Sequence, residues 1–183
     1  MIYDPSTGNV VLFGGSNGNG GGDLGDTWTW NGATWVQLSQ LSSPIARFGA
    51  SIACDPVAGN VVLFGGVNGS SSFLADTWTW SGTTWTEQTP IIHPSNRWCA
   101  SLSYDPATGY AVLFGGDNNG ALVNDTWAWS GSTWVQQAPS VSPSPRVCAA
   151  IKGHLAVSTC VHDHERLTSV YCNLGLVPLP GGV

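Results

Sequence analysis

The densest run of reactive side chains is Cys160-Val161-His162-Asp163-His164-Glu165, near the end of this 183-residue sequence. His162 and His164 lie two apart, so a strand would project both imidazoles to one side, and His154 or Cys160 would add a third ligand for zinc or copper. An open position on such a metal activates water. The flanking charges fit a solvated polar turn equally well. The metallo-hydrolase spacing His-x-His-x-Asp-His is absent, because Glu165 and Arg166 follow His164. A second set, Asp117, Asn118, Asn119 and Gly120 with Asp23, offers the hard oxygen ligands that calcium takes, without the spacing of an EF-hand loop.

Three acids and three arginines recur at matched spacing. Asp26, Asp76 and Asp125 can be read as a carboxylate ring that holds a cation, or as acids that each cap a turn through their own backbone amides. The metal-ligating candidates are therefore Asp117, Asn119, Asp125, His162 and His164, with calcium ahead of zinc or copper and no cofactor assigned outright. Arg47, Arg97 and Arg146 are the ligand-binding candidates. A ring of their planar forks would grip an acidic peptide, a small carboxylate or a lactone carbonyl. The scaffold alternative has each arginine bonded to carbonyls or to an acid of the neighbouring repeat. No Ser-His-Asp order, Gly-x-Ser-x-Gly elbow or phosphate loop is present, so no catalytic residue is assigned and enzymatic activity stays open.

The elements that must position these groups form a repeat. Asp26-Thr27-Trp28-Thr29-Trp30-Asn31-Gly32-Ala33-Thr34-Trp35 returns 50 residues later as Asp76 to Trp85 and another 49 later as Asp125 to Trp134. Nine of the ten tryptophans sit in these copies, Trp98 being the exception. A period near fifty with a Gly-Gly pair and spaced aromatics is the signature of a propeller array. Each unit also holds a turn, Asp4-Pro5, Asp55-Pro56 or Asp105-Pro106, closed by Gly8, Gly59 or Gly109. An apolar strand follows, ending in Leu-Phe-Gly-Gly at Gly15, Gly66 and Gly116, where a side chain would collide with neighbouring backbone. Polar loops of unequal length come next (16–25, 67–75, 117–124), and function concentrates in such loops. The Asp-Thr-Trp-x-Trp strand then places Trp28 and Trp30, and their counterparts, on one face before a hairpin turn into a fourth strand carrying Trp35, Trp85 or Trp134. These tryptophans read as the apolar layer between sheets, with a sugar-stacking surface as the alternative. Proline-rich connectors lead to each arginine, and small-residue strands 48–54, 98–104 and 147–151 follow, suited to a crowded inner edge.

In that order, from arginine to final tryptophan, the pattern over residues 1–151 resembles the kelch repeat. The resemblance implies an all-β fold of four-stranded propeller blades, three clear, with units at about 1–46, 47–96 and 97–145 and an inner strand at 146–151. It also implies that arginines at this motif position line a partner-binding mouth. The central domain of galactose oxidase is similar, but its copper site does not map, since Tyr171 beside Cys172 is mere adjacency. Residues 152–183 break the pattern, with runs 154–161 and 166–173 that suit strands of a degenerate fourth blade or a truncated end. Three blades fall short of the roughly 4 to 8 that close a propeller. Closure then falls to strand 146–151 joining the first blade, to two chains forming a homodimer, or to a longer parent protein.

Composition narrows the partners. A formal charge of −6 with only five Lys and Arg excludes nucleic acid, which demands a concentrated basic face. No apolar run approaches the roughly 20 residues of a membrane span, and no basic-then-apolar leader follows Met1. Low lysine with abundant Thr, Ser, Asn, Gly and Trp suits an exported parent, while five cysteines, an odd number, leave the compartment open. The expectation is a propeller binding module for a protein, peptide or glycan. The alternative is a calcium-type hydrolase that opens a lactone or cleaves an ester in the axial channel, an analogy of architecture alone.

Overall fold

The computed structural model describes residues 1–18, 22–69, 72–149, 159–162 and 170–173, and these contain strands and no helix. Three four-stranded antiparallel sheets follow one another. The first holds β1 (Ile2–Asp4), β2 (Asn9–Ser16), β3 (Asp23–Trp30) and β4 (Trp35–Leu38) in that order. The second repeats it with β5 (Ser51–Asp55), β6 (Asn60–Asn68), β7 (Ser72–Trp80) and β8 (Trp85–Gln88). The third joins β9 (Ser101–Asp105), β10 (Tyr110–Phe114), β13 (Thr126–Trp129) and β14 (Trp134–Gln137), and a small hairpin of β11 (Asp117–Asn118) and β12 (Ala121–Leu122) extends from it. A separate pair, β15 (Thr159–His162) and β16 (Val170–Asn173), sets Cys160 opposite Cys172 in register.

Local chemistry makes these sheets meanders. The Asp4 carboxylate accepts from the Ser6 amide at 2.9 Å, and Asp55 accepts from the amides of Val57 and Ala58 at 3.0 Å. Such Asx turns hold the chain at proline until Gly8, Gly59 or Gly109 takes φ between 66° and 76°. At the Gly-Gly pairs the structure departs in part from expectation. The third-sheet strand stops at Phe114, but β2 and β6 run on to Ser16 and Asn68 through a register shift after Phe13 and Phe64. The cause is a bulge: Gly14, Gly65 and Gly115 sit at φ 65°, 65° and 68°, and a Cβ on any of them would lie 2.5–2.6 Å from the carbonyl oxygen of Arg47, Arg97 or Arg146.

The core lies between sheets. Ile2 and Val11 of the first sheet pack with Val61, Leu63, Trp78, Trp80 and Trp85 of the second. Ala53, Val62 and Phe64 of the second pack with Leu113, Trp127, Trp129 and Trp134 of the third. Trp78, Trp80, Trp85, Trp127, Trp129 and Trp134 are thus an apolar layer where sheets meet, and burying each contributes about 2 kcal/mol, whereas Trp28, Trp30 and Trp35 of the first sheet lie outside it. β1 lies against β5 and β5 against β9, so the first strands of consecutive sheets are neighbours. Ile2–Asp4 fills the first position of the first sheet, and residues 146–149 of the strand expected at 146–151 are not in a strand. Residues 150 and 151 lie outside the described residues.

Candidate functional site

Arg47 joins two sheets. Its amide donates to the Leu24 carbonyl at 3.0 Å and its own carbonyl accepts from Gly15 at 2.8 Å, which pins the backbone to the first sheet. Its fork crosses to the second, where Nη1 and Nη2 donate to Oδ1 and Oδ2 of Asp76 at 2.6 and 2.7 Å and Nη1 also reaches the Gly65 carbonyl at 2.9 Å. Arg97 repeats the arrangement between the second and third sheets, with Asp125 at 2.6 and 2.9 Å and the Gly115 carbonyl at 3.0 Å. Both side chains are 1% exposed. Their donors are used inside the protein, so a ring of free forks is not formed at these two positions. Charge pairing and carbonyl bonds offset the cost of burying the guanidinium.

The recurrent acids do more than cap a turn, and Asp125 keeps a bond to its own backbone amide. Asp26 and Asp76 lie within strands, Asp125 directly precedes one, and each accepts the indole N–H of the tryptophan two residues on, at 2.6–2.8 Å. Burial pushes the Asp125 carboxyl up, but bonds from Arg97 and Trp127 and the guanidinium charge outweigh it and hold the pKa below its ordinary 3.8. A second lock runs the opposite way between sheets. Trp85 donates Nε1 to Thr27 Oγ1 at 3.0 Å and Trp134 to Thr77 Oγ1 at 2.9 Å. Phe13 and Phe64 meet the same two indoles edge-on at 5.3 Å.

Arg146 stands apart. Its backbone is seated on the third sheet through Gly116 and Val123, but its side chain is exposed and bonds only Ser144 among the described residues.

The loops beside these clasps form one edge. The Asp23 carboxylate accepts from the Gly69 amide at 2.6 Å, Asn68 donates to the Ala46 carbonyl, and Asn118 donates to Ser95 Oγ at 3.3 Å. Asp117 Oδ1 accepts from Gly120 and so closes the β11–β12 turn, where Asn119 takes φ 53°. Of the metal-ligating candidates, Asp117 is thus held in its own turn, Asn119 donates to Asn118, and Asp125 is engaged by Arg97. The structure does not bring the three together as one ligand set, and among the described residues no three His, Cys, Asp or Glu side chains are grouped to hold a metal. His162 ends β15, and His164 lies outside the described residues.

Sequence reasoning passed over two features. An open cleft along the second sheet is lined by Asp76, Thr77, Glu87, Gln88 and His93. Glu87 and His93 have no counterparts in the other units, and that break in the repeat was the available signal. The other is Cys54, whose thiol burial, Asp4 and Asp55 push up to about 11, which makes it a poor nucleophile at neutral pH. No protein-family model matches the chain, and no curated protein is found to match it.

Proposed function

We propose that the three sheets are consecutive blades of a kelch-like β-propeller and that the protein is a binding module presenting the loops between second and third strands to a protein, peptide or glycan. The observation that carries this reading is the bond from Gly69 to Asp23 at 2.6 Å, 46 residues apart, which ties loops of adjacent sheets into one surface. A surface built from loops on a rigid scaffold suits recognition, since the scaffold holds their geometry before the ligand arrives. Asp23, Asn68, Asp117, Asn118 and Asn119 supply carboxylates and amides along that edge, a set matched to sugar hydroxyls and to peptide amides. The loops carry the reading because the Arg47 and Arg97 forks are buried and already engaged by Asp76, Asp125 and glycine carbonyls.

The test is a glycan array and a peptide panel probed with the whole chain, followed by titration of any ligand found. Binding that weakens on Asn119→Gly, which keeps the left-handed backbone, or on Asn118→Ala, with denaturation midpoints unmoved, supports the module. Turnover of lactones or esters that chelator abolishes and calcium restores would overturn it in favour of a metal-dependent hydrolase. A folded protein that binds nothing on either panel would also overturn it.

A further inference from the structure

We propose that a second copy of this chain docks head to tail, seating its Arg146 on Asp26 and its Thr126 on Trp35. The proposal rests on the propeller reading and names a partner for its two outer faces. At each junction between sheets, the earlier sheet supplies an arginine, a threonine and a phenylalanine, and the later one supplies an aspartate, a glycine carbonyl and a tryptophan. On its other side the first sheet carries the later set, Asp26 and Trp35, with no arginine or threonine of an earlier sheet opposite it among the described residues. Oδ1 of Asp26 is buried with no hydrogen-bond partner, whereas the same atoms of Asp76 and Asp125 each hold an arginine. Trp35 is 41% exposed where Trp85 and Trp134 are 1% exposed.

The third sheet has the complement. Arg146 bonds no acid among the described residues, and Thr126 is half-buried where Thr27 and Thr77 are 1% exposed. Among the described residues three other buried polar atoms lack partners, Asn60 Oδ1 and the indole nitrogens of Trp80 and Trp98, but all three are neutral. Only Asp26 carries a charge whose two repeat counterparts are both paired. An orphaned buried carboxylate oxygen and an exposed arginine fork are complementary in charge and in bidentate geometry. Joining them within one chain would close only the three four-stranded sheets of the described residues, below the roughly 4 to 8 of known propellers. Two copies double that number, and a two-fold axis makes both junctions at once.

Analytical ultracentrifugation of the whole chain tests this across a concentration series. The expected result is a reversible dimer. Asp26→Arg and Arg146→Asp should each raise its dissociation constant roughly thirty-fold or more, because like charges then meet at both junctions. Mixing the two variants should restore the dimer, since one junction regains the native pair and the other pairs the reversed charges. Trp35→Ser, a change at an exposed site, should weaken the dimer as well, and circular dichroism verifies that each variant is folded. A folded wild-type monomer at all concentrations, a dimer indifferent to both reversals, or variants that fail to complement on mixing would overturn the pairing and leave loop binding intact. A dimer whose small-angle scattering excludes a ring would overturn the propeller reading itself.

Discussion

Asp76 receives both nitrogens of the Arg47 fork, at 2.6 and 2.7 Å, across the boundary between two sheets. The guanidinium is fully buried while the carboxylate keeps some contact with solvent, 1% against 23% exposed. The two ends of the pair are therefore unequal. Asp76→Ala leaves a buried cation with only carbonyl partners and should destabilise the fold by about 3 kcal/mol. Arg47→Ala leaves a partly hydrated anion and should cost less, about 2 kcal/mol after allowing for screening. Urea denaturation of the two variants checks the order, and equal losses would contradict it.

The Trp134 to Thr77 bond is buried, at 2.9 Å. Trp134→Phe strands the hydroxyl, and Thr77→Val strands the indole N–H. Each should lose about 1–3 kcal/mol. The double variant should lose less than the sum by about 1 kcal/mol, since neither polar group is left alone. A double-mutant cycle in urea reads the coupling directly.

Gly59 and Gly65 both sit near φ +65°, but only Gly65 has backbone within reach of an added Cβ, the Arg97 carbonyl at 2.5 Å. Gly59→Ala should therefore cost only the left-handed conformation, about 1 kcal/mol. Gly65→Ala should cost at least about 2 kcal/mol more, because displacing that carbonyl also breaks its bond from Gly66. Thermal midpoints of the pair separate conformational strain from collision.

The lowered pKa of Asp125 has a definite sign. A carboxyl held below its unfolded value adds stability above that value, and the contribution is lost as pH falls through the folded-state pKa. Stability measured from pH 5 downward should therefore drop in the acid range below the ordinary 3.8. Asp125→Asn should be less stable at pH 5 and show a shallower acid slope than the parent. An unchanged slope would mean that Arg97 does not distinguish the two protonation states.

The repeat itself was legible in the residues. Aspartate-proline turns, glycines closing them, apolar runs and alternating tryptophans are local signals, because turn conformation and strand alternation depend on neighbours in sequence. They were enough to place three four-stranded units and to assign the tryptophans of the second and third sheets, though not those of the first, to the layer between sheets. The repeat also showed that Arg47 and Asp76 recur, but not that they meet. Residues 29 apart on different sheets are brought together only by packing, and packing alone decides whether a guanidinium faces solvent or a carboxylate. For the same reason the sequence presented Asp26, Asp76 and Asp125 as equals, and Arg47, Arg97 and Arg146 likewise. Tertiary structure separates them: two of each are joined, while Asp26 keeps a buried orphan oxygen and Arg146 an exposed fork.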